Sequence, residues 1–226
     1  AFYEAMKDQG DIKAVIYSSS SMVFQHSPVY PYKESDITKI NPPTNVYGFS
    51  KLAGEYFCRA FHAQYGLPYV IVRYHNIYGP GEDSKGSSPG DIHVIPALIE
   101  KILKGQYPLK LLGDPESTRP FTYVDDAVDA TIEVIKKAMA GDNRVLNNDF
   151  NIGVGQATKI FDLAEQLWFL LGDGRPFKYE VENTSAITSK RREMDPAKLE
   201  SIIGWRPVVS LEKGIMKTAE WLRRRK

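Results

Sequence analysis

The sequence of 226 residues has one cysteine, no long apolar run and almost no net charge. Cys58 alone cannot form an internal disulfide or a cysteine-based zinc site, so we expect a reducing, cytoplasmic location and no metal centre. The 29 basic and 28 acidic residues leave a net charge of +1, without the one-sided positive charge typical of nucleic-acid-binding proteins. Apolar runs such as Leu167–Leu171 are far too short to cross a bilayer, so we expect no membrane partner.

Short segments of β-strand character alternate with longer helical patterns. Lys13–Tyr17 and Pro68–Tyr74 are largely apolar, which is typical of buried parallel strands, and residues 47–64 between them indicate a crossover helix. Further helices are predicted at about 93–104, 125–139, 158–171, 196–203 and 211–225, and short strands at about 108–112, 121–124 and 149–152. Asp195 is the predicted N-cap residue of the helix at 196–203. The sequence therefore predicts an α/β fold.

The start of the first long predicted helix holds a tyrosine and a lysine four residues apart. Tyr47 and Lys51 share one helix face, roughly 5–6 Å apart at Cβ. An ammonium favours the ionised form of a nearby phenol, so such a pair can act as a general acid and base. The pair is weak support on its own, because Tyr3 and Lys7 have the same spacing and we assign them no chemistry.

A serine-rich segment follows the first predicted strand. Ser20 lies 27 residues before Tyr47, where its hydroxyl could bind a substrate oxygen while the tyrosine exchanges its proton. The structural alternative is a polar turn that only ends the strand. The long, proline-rich loop Gln25–Asn45 comes next, and long loops inside a compact domain are usually binding loops or lids.

Six ordered segments resemble one enzyme family. They are Ser18–Phe24, Pro43–Lys51, Arg73–Pro80, Thr118–Asp126, Phe150–Gly153 and Leu199–Pro207. Together they resemble the extended short-chain dehydrogenases/reductases that act on nucleotide sugars, the NAD-dependent epimerase/dehydratase group. The resemblance implies the C-terminal part of a Rossmann-type doubly wound parallel sheet with a smaller α/β substrate domain. Residues 1–75 with 121–155 would form the dinucleotide-binding part, and 76–120 with 156–226 the nucleotide-sugar part.

The resemblance also implies roles for individual residues. Ser20, Tyr47 and Lys51 would be catalytic, and Tyr47 would take the proton from a sugar hydroxyl as hydride leaves for NAD. Tyr47 and Lys51 would also contact the cofactor, together with Tyr74 and His75.

A second group of residues would bind the nucleotide-diphosphate sugar. By the family pattern, this group consists of Asn76, Leu111, Arg119, Arg191 and Arg192. Asn76 would contact the phosphates, and the backbone around Leu111 would border the base. Arg119, with Arg191 or Arg192, would clamp the diphosphate, since a guanidinium can bind phosphate oxygens bidentately. The alternative for Arg119 is a surface salt bridge, and for Arg191 and Arg192 it is an ordinary solvated run of charges.

The serine motif bears on the type of reaction. Dehydratases of this family carry Asp-Glu where this sequence has Ser21-Met22, and a thioether cannot transfer a proton. This favours a 4-epimerase-like reaction over dehydration. A dehydratase or reductase of the same family is a second interpretation, and a non-catalytic nucleotide-binding remnant a third, although the intact Ser20, Tyr47 and Lys51 disfavour the third.

The largest departure from the family pattern is at the start of the chain. The family begins with a Gly-x-x-Gly-x-x-Gly turn that holds the dinucleotide pyrophosphate, roughly a hundred residues before the serine motif, and only nineteen residues precede Ser20 here. We therefore expect this chain to be the C-terminal two-thirds of a longer enzyme and not to bind NAD tightly alone. Family members commonly dimerise through the tyrosine-bearing helix and the helix before it. Because one of these two helices is largely absent here, both a homodimer and a monomer stay open.

Overall fold

The computed structural model describes residues 2–6, 10–82, 93–182 and 190–225. Within these ranges, the helices are α1 (Phe2–Met6), α2 (Val46–Tyr65), α3 (Val94–Leu103), α4 (Val124–Met139), α5 (Ile160–Leu171), α6 (Ala197–Ile203) and α7 (Leu211–Arg224). The strands are β1 (Val15–Ser20), β2 (Tyr69–Tyr74), β3 (Ile77–Tyr78), β4 (Leu109–Leu112), β5 (Thr118–Pro120), β6 (Thr122–Tyr123), β7 (Asn148–Ile152), β8 (Ala157–Lys159) and β9 (Tyr179–Glu182). The prediction of an α/β fold is confirmed.

A three-stranded parallel sheet in the order β1–β2–β7 forms the centre of the first core. The side chains on the two faces of β2 belong to different apolar clusters. Val70 and Val72 pack against residues of α4 and α6, whereas Ile71 packs on the side of α2. Because both faces are covered, β2 needs continuous apolarity, and its sequence has that pattern. The remaining strands form the parallel pairs β3–β6 and β4–β9 and the antiparallel pair β5–β8.

Helix α2 crosses over between β1 and β2 and lies very close to β1. The side chain of Asn45 caps its start by accepting a hydrogen bond from the backbone N–H of Gly48 at 2.6 Å. Gly66, with φ +70°, ends it in the left-handed conformation that glycine tolerates best. At Gly54, a Cβ would lie 2.0 Å from the hydroxyl oxygen of Tyr17, so any larger residue would have to displace that side chain. The start of α2 is thereby held beside the carboxyl end of β1.

A second apolar cluster joins α3, α5 and α7 to β4 and β6. Ile99 of α3, Leu163 and Leu167 of α5, and Ile215 of α7 are fully buried in it. The apolar residues therefore form more than one core. The domain boundaries drawn from the sequence stay a prediction.

Several elements differ from the sequence-based expectation. Strand β1 runs on to Ser20 because Ser18–Ser20 continue the parallel ladder with β2. Helix α6 begins at Ala197, one residue later than predicted, although the Asp195 carboxylate does accept a hydrogen bond from the backbone N–H of Ala197 at 2.9 Å. Strand β9 was not predicted, and all four of its side chains are exposed. Within the described part of the chain, no helix combines the length and apolarity needed to span a membrane.

Candidate active site

Ser20 ends β1 and begins the turn on which the start of α2 rests. Its side chain is buried, and its hydroxyl oxygen accepts a hydrogen bond from the backbone N–H of Met22 at 3.2 Å. Residues Ser21–Phe24 then form a single 3₁₀ turn. A Cβ at Gly48 would lie 2.9 Å from the carbonyl oxygen of Met22, so the turn and the first residues of α2 are in contact.

Tyr47 and Lys51 lie together at this end of α2. The Tyr47 side chain is 54% exposed. The Lys51 Nζ atom lies 5.8 Å from the centre of the Tyr47 ring and donates a hydrogen bond to the carbonyl oxygen of Ser18 at 3.0 Å. The structure therefore gathers Ser20, Tyr47 and Lys51 at the carboxyl end of β1, with an accessible phenol. Their catalytic roles stay a prediction.

Tyr74 is the β2 residue in register with Ser20. Its hydroxyl shares a hydrogen bond with the hydroxyl of Thr131 at 2.9 Å. Its ring lines an open, apolar cavity of about 330 Å³, whose other lining residues are Ile77, Val124, Ala127, Val128, Thr131 and Ile132. A flat apolar ring could therefore lie against Tyr74 at the same sheet edge as Ser20.

His75 is placed differently from the expectation. Its side chain is fully buried, with its ring centre 6.4 Å from that of Phe24 and 6.3 Å from that of Tyr32. Burial, together with the positive charges of Arg73 and Arg192, lowers the pKa of His75 to about 3. Because the loop after Ser20 folds over it, the imidazole does not reach the surface, contrary to the expectation that it lines a nicotinamide.

Asn76 combines an unusual backbone with an unsatisfied donor. Its φ of +42° is in the left-handed region, and its carbonyl oxygen accepts a hydrogen bond from Thr122 at 3.2 Å. Its side-chain Nδ2 atom is buried and has no hydrogen-bond partner among the described residues. A buried, unpaired N–H group costs about 1–3 kcal/mol, which a ligand oxygen at this position would remove.

Arg119 and Arg192 form a pair of cations without a carboxylate partner in the described ranges. Arg119 is buried, and its guanidinium donates to the carbonyl oxygen of Thr118 at 2.7 Å. The backbone N–H of Arg192 donates to the same carbonyl at 3.1 Å. Burial, with the adjacent charge of Arg192, lowers the pKa of Arg119 to about 10, and burial lowers the pKa of Arg192. A bound anion would stabilise the buried charge of Arg119 and the neighbouring charge of Arg192.

Arg191 and Leu111 face elsewhere. The exposed Arg191 makes a bidentate ion pair with Glu193 at 2.7 and 2.8 Å and stacks over the ring of Tyr30. Of the two arginines that the sequence offered as the partner of Arg119, the structure therefore favours Arg192. The side chain of Leu111 is buried in the second core, so that only its backbone is available to border a base.

Sequence reasoning missed three residues near the arginines. Tyr30 and Tyr32 are close enough for their charges to affect the pKa of both Arg119 and Arg192. His93 precedes α3 and lies within electrostatic range of Arg192. The proline-rich loop was the available signal for the two tyrosines, but no local pattern in the sequence pointed to His93.

Residues 2–153 match the model of the NAD dependent epimerase/dehydratase family. The chain belongs to this family. The family resemblance that the six ordered motifs indicated is therefore confirmed. The match does not confirm the expectation of a longer enzyme, which stays a prediction.

Curated members of the family include both epimerases and dehydratases. The chain is 30% identical to the UDP-glucose 4-epimerase of Mycolicibacterium smegmatis over 220 residues, which are 97% of this chain and 65% of that protein. It is 33% identical to the human dTDP-D-glucose 4,6-dehydratase over 217 residues, which are 94% of this chain and 57% of that protein. The chain thus spans less than two thirds of the length of these curated family members.

Solved structures of the family match the fold closely. The UDP-glucose 4-epimerase of Thermotoga maritima, crystallised with UDP-glucose, superposes with a TM-score of 0.81 at 30% identity, covering 99% of this chain and 67% of that chain. The fold is therefore that of the family over nearly the whole chain. The choice among the family's reactions depends on the residues of the site.

Proposed function

We propose that this family member is an NAD-dependent 4-epimerase of nucleotide-diphosphate sugars. The observation that carries the proposal is the accessible Tyr47 phenol, with the Lys51 ammonium 5.8 Å from its ring centre at the end of the strand that carries Ser20. A phenol can exchange protons with a sugar hydroxyl, and a neighbouring cation stabilises its ionised form.

In this proposal, each residue of the chain acts on a specific atom. Tyr47 takes the proton of the sugar hydroxyl and later returns it. Ser20 donates a hydrogen bond to the same sugar oxygen and so orients it. NAD, when bound, supplies the reversible uptake of hydride from the sugar carbon. Lys51 and Tyr74 fit such a cofactor, because an exposed ammonium can reach a ribose hydroxyl and the apolar cavity at Tyr74 can take a flat ring.

The diphosphate would lie on the cationic side of the site. Arg119 and Arg192 offer two guanidiniums without a carboxylate partner in the described ranges, and Asn76 offers a buried donor without a partner there. These groups match the charge and the acceptor oxygens of a diphosphate. The Thermotoga maritima enzyme, crystallised with UDP-glucose, supports a uridine nucleotide as the first ligand to test.

The residues under the start of α2 favour epimerisation over dehydration. The 3₁₀ turn in contact with Gly48 carries Ser21 and Met22, with no carboxylate at either position. Elimination of water needs a further proton donor beside the sugar, and neither residue supplies an acidic one. Tyr47 alone is sufficient for a reaction that removes and returns one proton.

We further propose that two copies of the chain associate through α2. Val46, Phe49 and Phe57 are each more than half exposed and are spaced so that they share one side of the helix. An exposed apolar helix face of this length is typical of an interface. A second copy presents the same face, so the contact is self-complementary.

The test is the interconversion of UDP-glucose and UDP-galactose by the complete gene product, followed by NMR. We expect Tyr47→Phe to lower kcat by about 10²–10⁴-fold, the usual contribution of a general acid and base. UDP-glucose binding measured by calorimetry should remain. Tyr56→Phe is the matched control, since Tyr56 is an exposed tyrosine of the same helix. Unchanged turnover in Tyr47→Phe would refute the assigned base, and a wild-type protein that interconverts no nucleotide sugar would refute the function.

A further inference from the structure

A buried polar cluster lies behind the candidate site, between α2 and the sheet. Glu55 and Arg73 are both fully buried. The Arg73 guanidinium donates to both carboxylate oxygens of Glu55, at 2.7 and 2.6 Å, and to the carboxylate of Asp149 at 2.7 Å. The hydroxyl of Ser19 donates to the same Glu55 carboxylate at 2.6 Å. Burial alone would lower the pKa of Arg73, but the hydrogen bond and charge of Glu55 outweigh it and raise that pKa.

This cluster is joined to the site residues through two short covalent paths. Glu55 lies one helical turn after Lys51 and two turns after Tyr47 on α2. Ser19 immediately precedes Ser20 on β1, and it is in register with Arg73 on β2. The Glu55 carboxylate therefore links α2, which carries Tyr47 and Lys51, to β1, which carries Ser20.

We propose that Glu55, oriented by Arg73, is a positioning residue that fixes the distance between Tyr47 and Ser20 through its hydrogen bond with Ser19. This inference rests on the proposed function. Two hydrogen bonds from the Arg73 guanidinium hold both oxygens of the Glu55 carboxylate. The third hydrogen bond, from the Ser19 hydroxyl, links this carboxylate to β1. A buried ion pair adds little net stability compared with apolar packing, because both charges lose their hydration. Positioning is therefore the role that its geometry supports.

The Ser19 hydroxyl is the part of the cluster that can be removed with the least disturbance. Ser19→Ala deletes one hydrogen bond and leaves the pairing of Arg73 with Glu55 and Asp149 intact. Ser19→Thr keeps a hydroxyl at the same place. Ser201→Ala is the control, because Ser201 is an exposed serine of α6 whose hydroxyl donates a hydrogen bond to the nearby carbonyl oxygen of Lys198.

The experiment measures kcat and KM for UDP-glucose in the complete gene product. Because a displacement of about 1 Å can cost 10²-fold in rate, we expect Ser19→Ala to lower kcat by about 10–100-fold with KM changed by less than about threefold. Ser19→Thr should recover most of the loss, and Ser201→Ala should behave as wild type. Glu55→Gln, which keeps the shape and loses the charge, should lower kcat at least as much as Ser19→Ala. Unchanged kcat in Ser19→Ala would overturn the proposal.

A second measurement separates this inference from the proposed function. We expect crystal structures of wild type and Ser19→Ala to differ by about 0.5 Å or more in the distance between Ser20 Oγ and Tyr47 Oη. If the wild-type protein turns over no nucleotide sugar, the proposed function fails, and this distance still decides the positioning role. An unchanged distance would overturn the inference even if activity fell.

Discussion

At the scale of single residues, Arg191 and Arg192 are neighbours in sequence with different surroundings. Arg191 already has a carboxylate partner in Glu193, whereas Arg192 lies beside Arg119 with no such partner in the described part of the chain. We therefore predict that Arg192→Met weakens UDP binding by about 10–100-fold, as expected for the loss of a charged hydrogen bond. Arg191→Met should weaken it by less than about threefold. Calorimetry with UDP checks both variants, and equal losses would contradict the assignment.

His75 gives a prediction about stability and pH. Its pKa is about 3 in the folded protein, whereas an unfolded histidine titrates near its ordinary value of about 6.5. Below that value the unfolded chain binds the additional proton, so the free energy of unfolding falls as the pH is lowered and levels off near pH 3. We expect His75 to contribute a loss of about 2 kcal/mol between pH 7 and pH 5.

Urea unfolding at the two pH values measures this contribution as a difference. His75→Phe should lose correspondingly less stability on acidification than wild type, whereas His26→Gln, which changes an exposed histidine, should lose as much as wild type. If the free energy of unfolding fell equally with pH in wild type and His75→Phe, the imidazole would not be held neutral by burial.

Single residues also show what local sequence could and could not reveal. The spacing of Tyr47 and Lys51 was sufficient to bring them together, because four residues make about one turn of any helix. Glu55 and Ser19 gave no such signal, because their contact joins residues 36 positions apart and depends on how closely α2 approaches β1. The burial of His75 depends in the same way on a loop that folds back over it.

At the scale of elements, α2 depends on one glycine for its approach to β1. An added Cβ at Gly54 would lie 2.0 Å from the Tyr17 hydroxyl oxygen and 2.2 Å from the ring carbon that bears it. We predict that Gly54→Ala lowers the free energy of unfolding by about 1–3 kcal/mol, because overpacking outweighs the better helix propensity of alanine. Gly10→Ala is the control, since no described residue has an atom within 4 Å of its added Cβ. Urea unfolding compares the two, and no loss in Gly54→Ala would show that Tyr17 can move aside cheaply.

Elements were predicted well where one property dominated their sequence. Continuous apolarity identified β2 to within one residue, and the helical pattern placed α2 within one residue at each end. Strand β9 was missed because it has only four residues, all of them exposed, and its partner β4 lies 70 positions earlier in the chain. Its Tyr-Glu-Val-Glu sequence alternates, but four residues are the shortest run that indicates a strand.

At the scale of the whole molecule, the exposed face of α2 predicts the oligomeric state. We expect the protein to be a dimer in sedimentation experiments and Phe49→Glu to shift it toward the monomer, because a charge buried at a symmetric contact is repeated on both copies. Phe169→Glu is the control, since Phe169 is a phenylalanine on α5 that is more exposed than Phe49. A dimer that persists in Phe49→Glu but dissociates in Phe169→Glu would place the interface on α5.

Hydrogen bonds join the loop after Ser20 to the segment that carries Arg191 and Arg192. Tyr32 donates its backbone N–H to Glu193 and accepts from Asp195, and its hydroxyl bonds to the carbonyl oxygen of Arg191, across 159 positions of sequence. Under the proposed function, an engineer who trims residues 25–45 to admit a bulkier sugar would therefore also displace the arginines assigned to the phosphates. Such a variant should keep Tyr32 in place.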